Sequence, residues 1–155
     1  MRTHRNLASV LAVALALACG PGNVKPTPTT SLYDRLGGKN AIEAVVVEML
    51  ENVKADDRIK GKFVNAGLDS PNSNLQGKLV DQICAAAGGP CTYSGKDMKS
   101  AHMGMGITEA EFNALVEDLV KALDKYKVAE KDKADLLAIL APMKKDIVEA
   151  ATTQQ

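Results

Sequence analysis

The sequence predicts an all-helical fold. Apolar residues recur at three- and four-residue intervals through several long stretches, the spacing that builds one face of an α-helix. The stretches close at glycine and proline clusters, and one of them opens with a capping box. No segment alternates with the two-residue period of a half-buried strand, and the chain has no internal repeat.

Taken in order, Ser31 to Leu36 reads as a short helix stopped by Gly37-Gly38. Asn40 with Glu43 resembles a helix start, and Ala41 to Lys54 carries Ile42, Val45, Val46, Met49, Leu50 and Val53 on one side. Asp56 to Gly61 reads as one or two further turns. Val64 to Asn74, with Gly67, Pro71 and several Asn and Ser residues, is a loop. Leu75 to Ala87 is the next helix. Its Leu75, Leu79, Ile83 and Ala87 share a face, and Gly88-Gly89-Pro90 ends it. Pro90 to Gly95 is a turn-rich connection, and Lys96 to Met103 has room only for a short helix. Thr108-Glu109-Ala110-Glu111 is the capping box. It opens a helix to about Tyr126, with Phe112, Leu115, Val116, Leu119 and Leu123 on the buried side. Lys131 to Ala150 is the last helix, with Leu136, Leu137, Ile139, Leu140, Met143 and Ile147 inside and Pro142 bending it.

The 155 residues allow one domain. Residues 1–18 read as a secretory signal: Arg2 and Arg5 charge its start, and Leu7 to Ala18 is an almost unbroken apolar run too short for a permanent membrane span. Leu15-Ala16-Leu17-Ala18-Cys19-Gly20 resembles a bacterial lipoprotein lipobox, with Ala16 where such boxes usually carry Leu. Lipidation of Cys19 would tether the protein to a membrane face; the alternative is plain cleavage near Ala18. Residues 19–31 form a Pro/Thr-rich tether that cannot build a core. The folded domain covers about residues 32–150, and 151–155 are a tail. The expectation is an exported bacterial protein, periplasmic or anchored to a membrane by lipid.

Basic and acidic residues number 19 each, and without Arg2 and Arg5 the net charge is −2. With no basic stripe and few aromatics, nothing points to nucleic acid. Cysteine use fits export. Apart from Cys19, only Cys84 and Cys91 remain, on either side of a helix end and turn. In an oxidising compartment a disulfide is expected between them; two buried thiols acting as small hydrophobes are the alternative.

Of the two histidines, His4 sits in the leader. His102 lies in the weak segment before the capping box. Two long helix pairs, a weak middle helix and one histidine in it describe the two-over-two globin arrangement. The motifs are Ser31-Leu32-Tyr33-Asp34-Arg35-Leu36-Gly37-Gly38, Ala55-Asp56-Asp57-Arg58-Ile59 with Phe63, Gly88-Gly89-Pro90, His102 with Gly104 and Gly106, and Ile107-Thr108-Glu109-Ala110-Glu111-Phe112. None is specific alone, but in this order and spacing the chain resembles the group I truncated haemoglobins over about residues 32–150.

The resemblance implies a haem (iron protoporphyrin) between antiparallel helix pairs, with His102 as the proximal iron ligand. Phe63 matches the phenylalanine wedged against the porphyrin, and Leu75 and Leu79 match two distal positions above the iron. Leu50 stands where the family often has a distal tyrosine, with Met49 beside the pocket. Met98, one turn before His102, should touch the proximal face, and Leu115 and Leu140 should line the inner edge. Lys78 matches a position that often pairs with a haem propionate; the alternative is a solvated helix lysine. Tyr93 could donate to a propionate or cap its own turn. Met103 and Met105 neighbour the proximal residue and cannot easily reach the distal side.

Three departures from the family stand out. The distal tyrosine is replaced by Leu50, the glutamine often found in the group by Leu79, and the loop between Phe63 and Leu75 is longer. Iron-bound oxygen carries partial negative charge, and a hydrogen bond to a charged group contributes about 1.5–3 kcal/mol. Leu50, Leu75 and Leu79 donate none, so oxygen should bind weakly or leave fast. Gln82, one turn beyond Leu79, is the nearest neutral donor. The expected function is reversible binding of a diatomic gas (O2, NO or CO), with an electron-donor protein as a further candidate partner. Nitric oxide dioxygenation needs stable bound oxygen, and peroxidase chemistry lacks a visible distal acid–base residue. The rival from another class is a haem-free helical lipoprotein serving as a binding or scaffolding module.

Overall fold

The helix Gly38–Ala55 (α2) is the beam on which the chain is assembled. A computed structural model describes residues 30–70 and 73–149. The signal, Cys19, most of the tether, Pro71, Ala150 and the tail lie outside these residues. Eight α-helices and one 3-10 turn, with no strand, make up the described part. Before α2 comes α1, Leu32–Arg35; after it follow α3, Lys60–Asn65, and α4, Leu75–Ala86. Met98–His102 is α5, and Glu109–Lys125 is α6. Glu130–Leu140 (α7), the 3-10 turn Ala141–Met143 and Lys144–Ile147 (α8) complete the order.

α2 buries Ile42, Val45, Val46, Met49, Leu50 and Val53, the stripe its sequence spacing predicts. Full burial of each such side chain contributes about 1.5–3 kcal/mol, so packing and not capping holds this helix. Its first residues receive no side-chain cap at all. This corrects the expected start at Asn40 with Glu43. Gly37, at φ +91°, turns the chain directly from α1 into α2, leaving no separate cap for Asn40 to supply. α2 packs on both α4 and α6. Ile42 and Val45 meet Ile83 of α4, Leu123 of α6 and Leu136 of α7 around a hollow of only about 10 Å³, so this part of the core is closed.

α1 is capped by Ser31, whose hydroxyl accepts from the Asp34 amide. Arg35 then reaches α7, pairing with Asp132 at 2.6 Å and Asp135 at 2.5 Å. The Tyr33 amide donates to the Ala87 carbonyl at 2.9 Å, which docks α1 on the end of α4. Gly89 lies in that joint. A Cβ there would sit 2.4 Å from the Tyr33 ring and 2.8 Å from the Cys84 sulfur, so only glycine fits. Cys84 and Cys91 are disulfide-bonded as expected, closing the turn between α4 and the loop toward α5.

The turns expected over Asp56 to Gly61 become helix only from Lys60, and α3 runs into what read as loop. The Asp56 carboxylate accepts from the Arg58 amide at 2.9 Å and pairs with its guanidinium, occupying residues 56–59 in a turn. Arg58 holds that carboxyl down at about 2. The long last helix is interrupted: Pro142 falls in the 3-10 turn, and α8 resumes after it.

Candidate functional site

α5 is only five residues long and buries none of them. Such a segment is too short to be helical on its own account. Asp97 starts it, its carboxylate accepting from the Ser100 amide at 2.9 Å. That hydrogen bond, before any other influence, holds the Asp97 carboxyl below its usual range. His102 ends the helix, half-buried, with Nδ1 2.8 Å from the Met98 carbonyl oxygen. A carbonyl only accepts, so Nδ1 carries a proton and donates; in the neutral ring Nε2 then presents a bare lone pair. A neutral imidazole fixed through one nitrogen and bare at the other is how a histidine metal ligand is held.

The remaining expected site residues divide into two sets. Met49 and Leu50 are buried on α2. Phe63 of α3, Leu79 of α4, Leu115 of α6 and Leu140 of α7 are half-buried and pack against the same cluster. Met98 opens α5, half-buried, and its sulfur accepts from Gln82 Nε2 of α4 at 3.1 Å. Outside the cluster, Leu75 is half-buried at the start of α4 and Lys78 is exposed on the same helix. The Tyr93 hydroxyl donates to the Lys96 carbonyl at 2.8 Å, the turn-capping alternative. Burial first, and the Asp97 charge second, push this phenol up. Met103 is 75% exposed.

Leu75, Leu79, Ile83 and Ala87 do not behave as one face. Val80, Ile83, Cys84 and Ala87 are buried, while Leu75 and Leu79 stay half-exposed. α4 thus buries apolar residues of its later turns and leaves Leu75 and Leu79 partly covered. The Gln82 amide also donates to the Met143 sulfur at 3.4 Å. Both known partners of that amide are therefore thioethers, on α5 and on the 3-10 turn.

The residues present fit haem. Among the described residues no group of three or more His, Cys, Asp or Glu could hold a metal ion. A lone imidazole binds iron firmly only when the other ligands arrive on a macrocycle. Phe63, Leu75, Leu79, Met98, Leu115 and Leu140 meanwhile leave hydrocarbon half-covered. Covering it with a flat apolar group would be favourable by about 25 cal/mol per Å².

Three residues near the site are not among those the sequence points to there, although Met143 falls on the inner side of the expected last helix. Lys62 of α3 donates to the carbonyls of Met105 at 2.7 Å and Gly106 at 3.1 Å. The Glu149 carboxylate accepts from the amides of Gly104 at 2.5 Å and Gly106 at 2.9 Å. Met143 joins Met98 at Gln82. All three are long-range contacts, and no local spacing announces them.

The bacterial-like globin family profile matches residues 31–149. A group 1 truncated haemoglobin of Mycolicibacterium paratuberculosis is 36% identical over 117 residues, covering 76% of this chain and 83% of that protein. The crystal structure of the truncated haemoglobin from Tetrahymena pyriformis in its Fe(III) form superposes with a TM-score of 0.72 at 30% identity, covering 78% of this chain and all of that one. The 2/2 haemoglobin from Synechococcus, with covalently attached haem, gives 0.69 at 27% identity, over 77% and 98% of the two chains. An all-helical chain with this fold and this match along its whole described length is a member of the bacterial-like globin family, of the group 1 truncated haemoglobin kind.

Proposed function

We propose that the chain holds haem iron through Nε2 of His102 and binds a diatomic gas reversibly on the opposite face. Haem is the cofactor that membership of this globin family brings. When bound, it supplies an iron with one open position for a gas molecule. The chain's own part is threefold. His102 offers a bare nitrogen because the Met98 carbonyl accepts a hydrogen bond from Nδ1–H and so keeps the proton on that nitrogen. Phe63, Leu79, Leu115 and Leu140 exclude water from a flat apolar group. Leu50, Leu75 and Leu79 give the gas side no hydrogen-bond donor, so oxygen leaves fast while carbon monoxide and nitric oxide are less affected.

The observation that carries the proposal is the 2.8 Å contact of His102 with the Met98 carbonyl. The test is a visible spectrum of the purified chain supplied with haem, repeated for His102→Ala. A Soret band lost or shifted in the variant supports it. A band identical in both overturns the role of His102, and no band in either returns the protein to a haem-free binding module.

Export is part of the same proposal. The leader and the lipobox-like stretch before Cys19 support delivery to the bacterial periplasm or a lipid anchor there. The Cys84–Cys91 disulfide fits an oxidising compartment. Mass spectrometry of the mature amino terminus separates acylated Cys19 from cleavage near Ala18. An electron-donor protein would be the remaining partner, returning the iron to its ferrous, gas-binding state.

A further inference from the structure

The turn Met103–Ile107, directly after His102, is gripped from two sides. Lys62 approaches from α3 and donates to the carbonyls of Met105 and Gly106. Glu149 approaches from beyond α8, and its two carboxylate oxygens accept from the amides of Gly104 and Gly106. The Glu149 amide also donates to the Ile107 carbonyl at 2.9 Å. A cation thus takes the carbonyls of one turn and an anion takes its amides. Lys62 further reaches Glu111 at 3.7 Å, the carboxylate that closes the cap of α6.

These contacts are not needed to satisfy the turn, because Gly104 and Gly106 are exposed and water could serve them. Their effect is therefore positional. α5 buries no residue, and its front is fixed by the Asp97 cap and by the Gln82 amide on the Met98 sulfur. Its back end, which carries the imidazole, is fixed by whatever holds the turn. Gly104 at φ +80° and Gly106 at φ +59° give the turn a shape that side chains resist, aiming both amides at one carboxylate. Charge-assisted hydrogen bonds are about twice as strong as neutral ones.

We propose that Lys62 and Glu149 are positioning residues that set the height and tilt of the His102 ring toward iron. The proposal rests on His102 as the iron ligand. The test uses the full chain loaded with haem, in wild type, Glu149→Ala, Glu149→Gln, Lys62→Met and His102→Ala. Three readouts apply: the iron–histidine stretch of the ferrous protein by resonance Raman, haem transfer to excess apomyoglobin, and amide hydrogen exchange of Gly104 and Gly106 in the haem-free protein. Glu149→Ala and Lys62→Met should shift or broaden the stretch and speed haem transfer by about tenfold. Glu149→Gln, which keeps one acceptor oxygen, should fall between. Gly104 and Gly106 should exchange faster in Glu149→Ala. If that variant does not fold, judged by circular dichroism, Glu149→Gln and Lys62→Met carry the test. Stretch and transfer rate unchanged in the folded Glu149 and Lys62 variants, with the stretch abolished in His102→Ala, overturn the clamp alone. A stretch surviving in His102→Ala overturns the ligand assignment and the positioning role with it; the exchange data then show whether the turn is gripped at all.

Discussion

In the proposed function, Leu50 is the residue whose identity sets the gas chemistry. It is buried on α2, next to Met49, in the cluster that also holds Phe63 and Leu79. A hydroxyl placed there would be the one donor among hydrocarbon, and its hydrogen bond to a partially charged ligand would contribute about 1.5–3 kcal/mol. Leu50→Tyr is therefore expected to slow oxygen dissociation by about 10- to 100-fold, measured by stopped flow on the reduced protein. An unchanged rate would remove the apolar pocket as the cause of fast release. Gln82 does not compensate for the leucines, because its amide is directed to the sulfurs of Met98 and Met143. His102 needs its partner as much as Leu50 needs its neighbours: without the Met98 carbonyl, the neutral ring has no fixed tautomer.

The disulfide is the tie between the helix carrying Leu79 and the segment carrying His102. It joins the fully buried Cys84 of α4 to Cys91, seven residues on, in the loop that leads to α5. Closing so short a ring should stabilise the fold by about 2.5 kcal/mol on the chain-entropy account. Urea unfolding of oxidised wild type against Cys84→Ala/Cys91→Ala measures this, and coincident curves would refute it. Such local features were legible in the sequence. The box at Thr108 and Glu111 forms in full, α4 starts at Leu75 as expected, and the cysteine pair is joined. What the sequence hid was decided over longer range or by competing local bonds. α2 begins early because Gly37 redirects the chain, and α3 begins late because Asp56 engages Arg58 first. The stripe of α4 splits in burial: Ile83 and Ala87 are in the core, while Leu75 and Leu79 are only partly covered. The grip of Lys62 and Glu149 on one turn spans more than forty residues in each direction, beyond the reach of any periodicity.

At the scale of the whole molecule, a closed core and a set of partly covered apolar side chains stand in contrast. α2, α4, α6 and α7 meet around Ile42, Val45, Ile83, Leu123 and Leu136 with almost no space left over. Of the expected site residues, Met49 and Leu50 are buried, while Phe63, Leu75, Leu79, Met98, Leu115 and Leu140 remain half-covered. The haem-free protein should thus keep most of its helix, and haem should raise its midpoint of thermal unfolding, by about 2.7 kcal/mol of stability at a hundredfold excess over Kd. Circular dichroism melts with and without haem check this; His102→Ala should show a smaller rise, and no rise in wild type would contradict a slot completed by the cofactor. The packing of α6 on α2 has a consequence for biogenesis. The chain between these partners carries α3, α4 and α5, so their meeting is a non-local event that sets the pace of folding. If His102 and the distal leucines form the pigment's seat, it is drawn together only once that long span has closed, and pigment uptake is then expected as the finishing act of maturation and not its seed.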